Sequence, residues 1–329
     1  MAFVFPDRVP IARIPTPIHR LDRLSKAWGA ELWIKRDDLT GAALSGNKIR
    51  KLEYEMAEAM RVKAKFVITC GGVQSNHARA TAIAARQLGI EPHLVLRTPD
   101  GKPPAEWDGN LLLDRLVGAE ITWITPEQYQ NERGAIMAGL ANRLGSAFVI
   151  PEGASDARGA LGYVAAVKEL AEQSKAAGVD FAYVAHACGS GGTSAGLAIG
   201  NAIFDAGMFP VAFAVCDDES YFKNVIGGIV KEFASTFGGI TDPAAAKLSI
   251  VDRYKGVGYA QSTAEELAFI REVATAEGIL LDPVYSGKAM FGVKKELAAG
   301  KTFRKGAPIC FVHTGGIYGL FPKRFEFGF

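Results

Sequence analysis

Short apolar stretches alternate with longer helical patterns along most of the chain. The apolar stretches are rich in β-branched and aromatic residues and are predicted as strands: ELWIKR, KFVITC, PHLVLR, EITWIT, AFVIPE, FAYVAHA, PVAFAVC and PICFVHT. Helical patterns cover 75–89, 109–118, 159–178, 191–206, 262–277 and 286–299. Continuous apolar strands separated by helices are typical of parallel sheets covered on both faces, so the pattern predicts an α/β fold.

The length of the chain, 329 residues, indicates two lobes rather than one. Strand and helix patterns alternate from about 50 to 150 and are followed by PEGASDARGALGY, a small-residue stretch that fits a crossover. We predict a smaller α/β domain over 50–155 and a larger α/β domain made of 1–49 and 156–329. A cleft between the lobes is then the expected binding site.

The charge balance excludes some classes of partner. Lysine and arginine (37) nearly match aspartate and glutamate (35), and the basic residues are scattered along the chain, so we expect no nucleic-acid partner. No apolar run approaches the ~20 residues that span a bilayer, so we expect no membrane partner either. The start, MAFVFPDRVPIARIP, lacks the pattern of a signal peptide, and we expect a cytoplasmic protein.

The cysteines and histidines give no support for a metal site. The four cysteines are far apart in apolar stretches and are predicted to be buried free thiols: Cys70, Cys188, Cys216 and Cys310. The five histidines show no metal-binding spacing: His19, His77, His93, His186 and His313. We therefore expect no metal in this protein.

The lysine at the start of a helical pattern, Lys48, has two interpretations. It follows the small-residue loop LTGAALSGN, where a backbone can close around a ligand, so its side chain can face a cavity. Alternatively, Lys48, Arg50 and Lys51 form the solvated face of a helix. The buried face of that helix would then consist of Ile49, Leu52, Tyr54 and Met56.

Several loops follow strands at the edge where parallel sheets bind ligands. Ser75 and Asn76 follow KFVITCGG, although either of them can simply cap a helix. The loop after FAYVAHA combines glycines with hydroxyls and can bind a phosphate through backbone N–H groups, or else allow tight helix–sheet packing: Gly189, Ser190, Gly191, Gly192 and Thr193. Tyr285, Ser286 and Thr314 belong to the same predicted edge.

The glycine loop matches neither of two common nucleotide motifs. No lysine follows its last glycine, so it is not a P-loop, and Ser194 breaks the GxGxxG spacing of dinucleotide-binding proteins. A lone lysine, a phosphate-binding loop and several hydroxyls instead suit Schiff-base chemistry on pyridoxal phosphate.

Five blocks of the chain resemble one family of pyridoxal-phosphate enzymes. These blocks are KRDDLTG…SGNKIRKLE, CGGVQSNHAR, GSGGTSAGL, LDPVYSGKA and HTGG, in order from about residue 13 to 320. They are similar to the D-cysteine desulfhydrase and 1-aminocyclopropane-1-carboxylate (ACC) deaminase family. The resemblance implies the tryptophan synthase β-subunit fold, with two lobes that each contain a mostly parallel twisted sheet covered by helices, and with the cofactor bound to the larger domain.

The resemblance also implies roles for individual residues. Lys48 matches the Schiff-base lysine, Asn76 the residue beside the ring's phenolic oxygen, and Gly189 to Thr193 the phosphate loop. Ser75 matches a serine that contacts the substrate carboxylate or assists proton movement. The expected pocket residues beside the substrate are Tyr285, Tyr259 and His77, the last of which is equally well explained as a packed histidine. Arg50 and Lys51 match no site residue and keep their place on the solvated face.

The family divides at the position of Ser286. ACC deaminases carry VYEG, with a glutamate as partner of the pyridine nitrogen, where this chain has VYSG. Ser286 and Thr314 follow the desulfhydrase pattern, which predicts a hydroxyl at that nitrogen. A hydroxyl leaves the ring a weaker electron sink than a carboxylate does, which favours prompt loss of a β substituent over opening of a cyclopropane.

The expected activity is β-elimination and deamination of a small amino acid, with D-cysteine giving pyruvate, sulfide and ammonia. The alternatives on the same scaffold are ACC, L-cysteate and D-serine. A nucleotide-binding oxidoreductase would explain the glycine loop but leaves Lys48 without a role, and a non-catalytic regulatory binder would be expected to have lost that lysine. The family usually forms homodimers, so a homodimer is expected here too.

Overall fold

The computed structural model describes residues 3–328. Its strands, in chain order, are β1 (Ile18–Arg20), β2 (Leu32–Lys35), β3 (Phe66–Gly72), β4 (Glu91–Arg97), β5 (Glu120–Ile124), β6 (Ala147–Val149), β7 (Tyr183–Cys188), β8 (Phe209–Ala214), β9 (Ser249–Val251) and β10 (Ile309–Val312). Its α-helices are α1 (Asp22–Trp28), α2 (Lys48–Arg61), α3 (Asn76–Gln87), α4 (Gly109–Leu116), α5 (Pro126–Asn131), α6 (Arg133–Leu144), α7 (Ala157–Ala177), α8 (Gly192–Phe204), α9 (Glu219–Phe237), α10 (Ala264–Glu277) and α11 (Ser286–Ala299).

The strands form two sheets, as an α/β fold requires. The larger sheet has six strands in the order β1-β2-β10-β7-β8-β9, and the smaller has four in the order β5-β4-β3-β6. All neighbouring strands run parallel except β1, which pairs with β2 in the antiparallel sense. The smaller sheet uses strands between 66 and 149. The division of the chain at 50 and 155 stays a prediction.

Both faces of the larger sheet are buried, which explains why its strands are continuously apolar. Along β10, Ile309 and Phe311 belong to one hydrophobic cluster, whereas Cys310 and Val312 belong to another on the opposite face. All four side chains are at most 2% exposed. Alternate residues of a strand point to opposite faces, so helices must cover both sides of this sheet.

Residues 49–56 of helix α2 are all buried, and this overturns part of the sequence interpretation. It packs against both α7 and α3. Its apolar side chains are buried as expected, namely Ile49, Leu52, Tyr54 and Met56. The prediction that Arg50 and Lys51 lie on a solvated face is wrong, because they are 2% and 0% exposed, respectively.

Arg50 is buried in a network of ion pairs. Its guanidinium donates to both carboxylate oxygens of Asp37, at 2.8 and 2.9 Å, and to both oxygens of Glu169, each at 2.9 Å. Burial disfavours the charge on Asp37, but the Arg50 guanidinium outweighs burial and holds the pKa of Asp37 below its usual value. The network fixes the rotation of α2 two residues after Lys48.

Three further predictions concern the cysteines, metal sites and membrane spans. All four cysteines are free thiols, and three of them are buried whereas Cys216 is half-buried. Among residues 3–328, no group of three or more His, Cys, Asp or Glu side chains is placed to hold a metal ion. None of the helices over the same range combines the length and apolar character of a membrane span.

Candidate active site

A cavity lies where β3, β7 and β10 end. Its lining includes the last residues of β3, Gly71 and Gly72, the last residue of β7, Cys188, and the residue Thr314 just beyond β10. Eleven of the predicted site residues line it together: Lys48, Ser75, Asn76, His77, Gly189, Ser190, Gly191, Thr193, Tyr259, Tyr285 and Thr314. The structure therefore brings residues from six separate segments of the chain into one cavity.

The loop before Lys48 packs tightly against the loop after β10. Gly46 has a φ of +109°, and a Cβ at this position would lie 2.9 Å from the carbonyl oxygen of Thr314. The N–H of Asn47 donates to that same oxygen at 3.1 Å. Glycine is required here because only a backbone without a side chain adopts this angle at so short a distance.

Lys48 is the first residue of α2, and its side chain is half-buried in the cavity wall. Its Nζ lies 3.4 Å from Asn47 Oδ1. Burial lowers the pKa of Lys48 from 10.5 to about 8, and Cys188, Glu152 and Asp282 only partly oppose this shift. An amine with such a pKa is substantially neutral under mildly alkaline conditions, so it can act as a nucleophile or accept a proton.

The glycine loop forms the N-terminus of α8. Gly191 occupies the N-cap position with a φ of +82°, and no side chain caps the helix. The first backbone N–H groups of α8 are therefore available to an anion. Gly192 does not line the cavity itself, because it packs against Lys51 behind the loop, where a Cβ would collide with Lys51 Nζ.

Lys51 is a candidate site residue that the sequence analysis missed. Its Nζ donates to the carbonyl oxygen of Gly153 at 2.5 Å and to Ser155 Oγ at 3.3 Å. Burial, and then the nearby Lys48, lower the pKa of Lys51 well below its usual value. Lys51 does not line the cavity, so its buried amine supports the glycine loop from behind. Its spacing, one helical turn after Lys48, was the signal available in the sequence.

Ser75 and Asn76 begin helix α3 at the cavity. Ser75 Oγ accepts a hydrogen bond from the N–H of Ala78 at 3.1 Å, so Ser75 is an N-cap as well as a lining residue. Its hydroxyl proton remains for a partner in the cavity. Asn76 Oδ1 accepts a hydrogen bond from Asn110 Nδ2 at 2.9 Å.

His77 packs against β3 of the smaller sheet. Its Nε2 lies 2.8 Å from Thr69 Oγ1, and the imidazole is 3% exposed. Burial, reinforced by Lys48 and Lys51, holds the pKa of His77 well below its usual value, so the ring is neutral. His77 is therefore a packed, neutral histidine at the edge of the cavity, which agrees with the second of the two explanations given for it from the sequence.

Two tyrosines form one wall of the cavity. The hydroxyls of Tyr259 and Tyr285 lie 2.6 Å apart, and the guanidinium of Arg97 lies 5.1 Å from the centre of the Tyr259 ring. Burial raises the pKa of both hydroxyls, which are therefore protonated and can donate. Lys288 Nζ holds the loop that carries Tyr259, since it donates to the carbonyls of residues 255 and 258, each at 2.8 Å.

The structure separates Ser286 from Thr314. Ser286 Oγ donates to Asp282 Oδ1 at 2.6 Å and accepts from the N–H of Asp282 at 2.8 Å. Its side chain is fully buried and does not line the cavity, whereas that of Thr314 does. Ser286 Oγ is engaged with Asp282 in the turn before α11, so Thr314 is the one of the two that offers a hydroxyl to the cavity. That a hydroxyl faces the ring nitrogen stays a prediction.

The cavity is suited to an anionic ligand. The N-terminal residues of three helices line it, Lys48 of α2, Asn76 of α3 and Tyr285 at the N-cap of α11, and the uncapped end of α8 adds a fourth. Helix N-termini carry a partial positive charge, so their fields add at the cavity. Lys48 and Glu152 are the basic and acidic residues in the lining, so the attraction for an anion comes from the helix N-termini.

The comparison with protein families decides the assignment. The family described as pyridoxal-phosphate dependent enzyme matches residues 9–315. The chain belongs to the pyridoxal-phosphate dependent enzyme family. Two curated relatives agree with this. A bifunctional D-cysteine desulfhydrase/ACC deaminase of Arabidopsis thaliana is 42% identical over 95% of this chain and 79% of its own. A D-cysteine desulfhydrase of Yersinia pestis is 40% identical over 95% of each chain.

The fold has a close solved counterpart. The crystal structure of an ACC deaminase homologue superposes with a TM-score of 0.85 and 39% identity, covering 98% of this chain and 95% of the other. The two-sheet α/β fold predicted from the resemblance to tryptophan synthase β-like enzymes is confirmed.

The residues of the cavity fit the cofactor of the pyridoxal-phosphate dependent enzyme family. The uncapped N-terminus of α8 offers N–H donors to a phosphate, and glycine at position 189 lets this loop pack closely beside Tyr285, since a Cβ there would lie 2.9 Å from the tyrosine ring. The lowered pKa of Lys48 suits an amine that must react with an aldehyde. Asn76 and Thr314 supply polar groups for the ring.

Proposed function

We propose that this protein is a pyridoxal-phosphate-dependent lyase that converts D-cysteine into pyruvate, sulfide and ammonia. The observation that carries the proposal is the juxtaposition, in one cavity, of the Lys48 amine at the start of α2 and the uncapped glycine loop at the start of α8. The relatives named D-cysteine desulfhydrase supply the choice of substrate.

The proposal gives each part of the cavity one task. Pyridoxal phosphate, when bound, supplies an aldehyde that condenses with amines and a conjugated ring that withdraws electrons from the substrate Cα. Lys48 would hold the cofactor covalently, the loop from Gly189 to Thr193 would hold its phosphate, and Lys51 supports that loop from behind. The Asn76 amide would serve the phenolic oxygen and the Thr314 hydroxyl the ring nitrogen.

Lys48 also moves the proton at Cα. Because burial lowers its pKa to about 8, the free amine is neutral in enough of the protein to accept a proton from the Cα of a bound substrate. Loss of the β-thiolate and addition of one water then balance the reaction, since D-cysteine and water together give pyruvate, hydrogen sulfide and ammonia. The Ser75 hydroxyl orients the substrate carboxylate.

The paired hydroxyls of Tyr259 and Tyr285 orient the β substituent. Both are protonated and bonded to each other, so one hydroxyl of the pair keeps a proton to donate to a leaving thiolate. Arg97, stacked on the Tyr259 ring, stabilises the negative charge that develops at this side of the cavity.

ACC is the second candidate substrate, because the Arabidopsis relative is named for both activities. Opening a cyclopropane requires strong electron withdrawal, which a carboxylate at the ring nitrogen would support. The residue that we propose for the ring nitrogen, Thr314, carries a hydroxyl rather than a carboxylate. We therefore rank D-cysteine above ACC.

A pyruvate-release assay tests the proposal. The protein saturated with pyridoxal phosphate is given D-cysteine, L-cysteine, ACC, L-cysteate or D-serine. We expect the highest kcat/KM with D-cysteine, and release of sulfide in equal amount to pyruvate. Lys48→Ala should abolish the release, whereas Lys26→Ala, at an exposed position of α1, should leave it unchanged. A higher kcat/KM for ACC would reverse the ranking.

We also propose that the protein works in the cytoplasm as a homodimer, as the family resemblance suggests. The protomer mass is 35.1 kDa, so light scattering of the purified protein should give about 70 kDa for a dimer. A mass of one protomer at micromolar concentration would contradict the dimer.

A further inference from the structure

We propose that Asn110 is a positioning residue that sets the orientation of the Asn76 side-chain amide toward the cofactor. The inference rests on the proposed function, because it concerns the group that Asn76 presents to the cavity. Asn110 is the second residue of α4, is fully buried, and does not line the cavity itself.

The orientation of Asn110 follows from its partners. Arg79 Nε donates to Asn110 Oδ1 at 3.1 Å, and a guanidinium has no acceptor, so this side of the Asn110 amide must be its oxygen. The Asn110 Nδ2 then points the other way. It donates to the carbonyl oxygen of Gln74 at 3.0 Å and to Asn76 Oδ1 at 2.9 Å.

The orientation of Asn76 follows in turn. Because Asn110 Nδ2 can only donate, the atom of Asn76 that meets it must be the oxygen. The Asn76 Nδ2 is left to face the cavity as a donor. Arg79 can only donate, and this sets the orientation of the Asn110 amide. The Asn110 amide in turn sets the orientation of Asn76, the residue proposed to serve the phenolic oxygen of the cofactor.

The Arg79 end of this chain is rigid. Arg79 is fully buried, and its guanidinium also donates to the carbonyl oxygens of Ala43, at 2.5 Å, and Ser45, at 3.0 Å. Asn110 is held a second time, because its backbone N–H donates to Gln74 Oε1 at 2.9 Å. Asn110 is fully buried, so its amide cannot reverse without losing hydrogen bonds that no water replaces, and Asn76 is thereby preset as a donor.

The preset donor has a consequence for the chemistry. A phenolic oxygen that carries negative charge gains from a donor and is repelled by an amide oxygen. Replacing Asn110 with aspartate should reverse the direction of the hydrogen bond between this residue and Asn76. Both aspartate oxygens accept, so Asn76 must offer its Nδ2 to one of them and present its own oxygen to the cavity.

The test is a double-mutant cycle on cofactor binding. The apparent dissociation constant for pyridoxal phosphate is measured, by titration of the visible absorption, for the wild type, Asn76→Ala, Asn110→Asp and the double variant. We expect Asn76→Ala to weaken binding about tenfold, as for one lost charge-assisted hydrogen bond, and Asn110→Asp to weaken it further. The double variant should bind as Asn76→Ala does, because it has no Asn76 amide to reverse.

The visible absorption band provides a second readout that does not depend on turnover. Both single variants should shift the band in the same direction, and the double variant should shift it no further than Asn76→Ala. Additive losses of affinity in the cycle, or wild-type affinity and spectrum in Asn110→Asp, would overturn the proposal.

Two controls keep the outcomes distinct. If Asn110→Asp does not fold, as judged by circular dichroism of the cofactor-free protein, Asn110→Ser enters the same cycle. Serine leaves the Asn76 amide free to turn, so Asn110→Ser should lose less affinity than Asn76→Ala and should again add nothing in its presence. If the wild type takes up no pyridoxal phosphate, the proposed function fails, and that result differs from every outcome of the cycle.

Discussion

Asn47 Nδ2 donates a hydrogen bond to Thr193 Oγ1 at 3.0 Å, joining two residues that are 146 positions apart. Asn47 precedes Lys48 at the start of α2, and Thr193 lies in the first turn of α8. The bond therefore ties the amine of the candidate active site directly to the glycine loop. The distance between these two parts is set by the fold and not by a flexible loop.

The buried pair of Arg50 and Asp37 provides a prediction about stability. Replacing Arg50 with methionine leaves Asp37 and Glu169 in the interior without their shared partner. We expect the free energy of unfolding to fall by about 3–5 kcal/mol, measured by urea denaturation. The matched control is Arg61→Met on the same helix, whose pair with Glu58 is exposed. Equal stability in both variants would contradict the role of the network.

The lowered pKa of Lys48 provides a prediction about pH. The neutral amine is the form that attacks an aldehyde, and its fraction rises with pH until the pKa is passed. With a pKa of about 8, the rate of pyridoxal phosphate uptake by the cofactor-free protein should rise about tenfold per pH unit below 8 and level off above it. The reference reaction uses N-acetyl-lysine, whose rate should continue to rise toward pH 10. If the rates for the protein and for N-acetyl-lysine rose in parallel up to pH 10, Lys48 would have the pKa of an ordinary lysine, and the prediction would be wrong.

Thr314 and Ser286 should behave differently when their hydroxyls are removed. Thr314 lines the cavity, so Thr314→Val should change the visible spectrum of the bound cofactor and lower kcat for pyruvate release about tenfold or more. Ser286 bonds to Asp282 away from the lining, so Ser286→Ala should mainly reduce stability, by about 1 kcal/mol. A spectral change in Ser286→Ala that matches the one in Thr314→Val would contradict this division of roles between the two hydroxyls.

Most of the fold could be predicted because its strands and helices are long and periodic. Each strand predicted from an apolar stretch is present. The strands that the pattern missed, β1 and β9, have three residues each, which is too short for a period to show. Helix α9 was missed for another reason. Its buried residues do recur at helical spacing, so the signal was present in the sequence and was overlooked: Phe222, Ile226, Ile229, Val230 and Phe233.

The site could be predicted as far as its residues follow strands. Ser75, the glycine loop and Thr314 lie beyond the ends of β3, β7 and β10, where ligands gather in parallel sheets. The sequence could not predict in the same way which side chains of α2 are buried. Whether Lys51 is exposed depends on α7, which begins more than a hundred residues later and covers that face.

The role inferred for Asn110 was also beyond the reach of the sequence. It follows from hydrogen bonds that link α3 to α4 across 31 and 34 positions. Nothing in the local pattern GNLLLDRL marks this residue, since an asparagine near the start of a helix is ordinarily explained by capping.

Borohydride reduction followed by peptide mapping tests the central claim most directly. The protein is saturated with pyridoxal phosphate, reduced, digested and examined by mass spectrometry for the lysine that carries the reduced cofactor. We predict modification of Lys48 at close to one equivalent, with Lys51 unmodified, and loss of both the label and the visible absorption in Lys48→Ala. Stoichiometric labelling of another lysine, or no labelling of a folded wild-type protein, would contradict the assignment of this cavity as the active site.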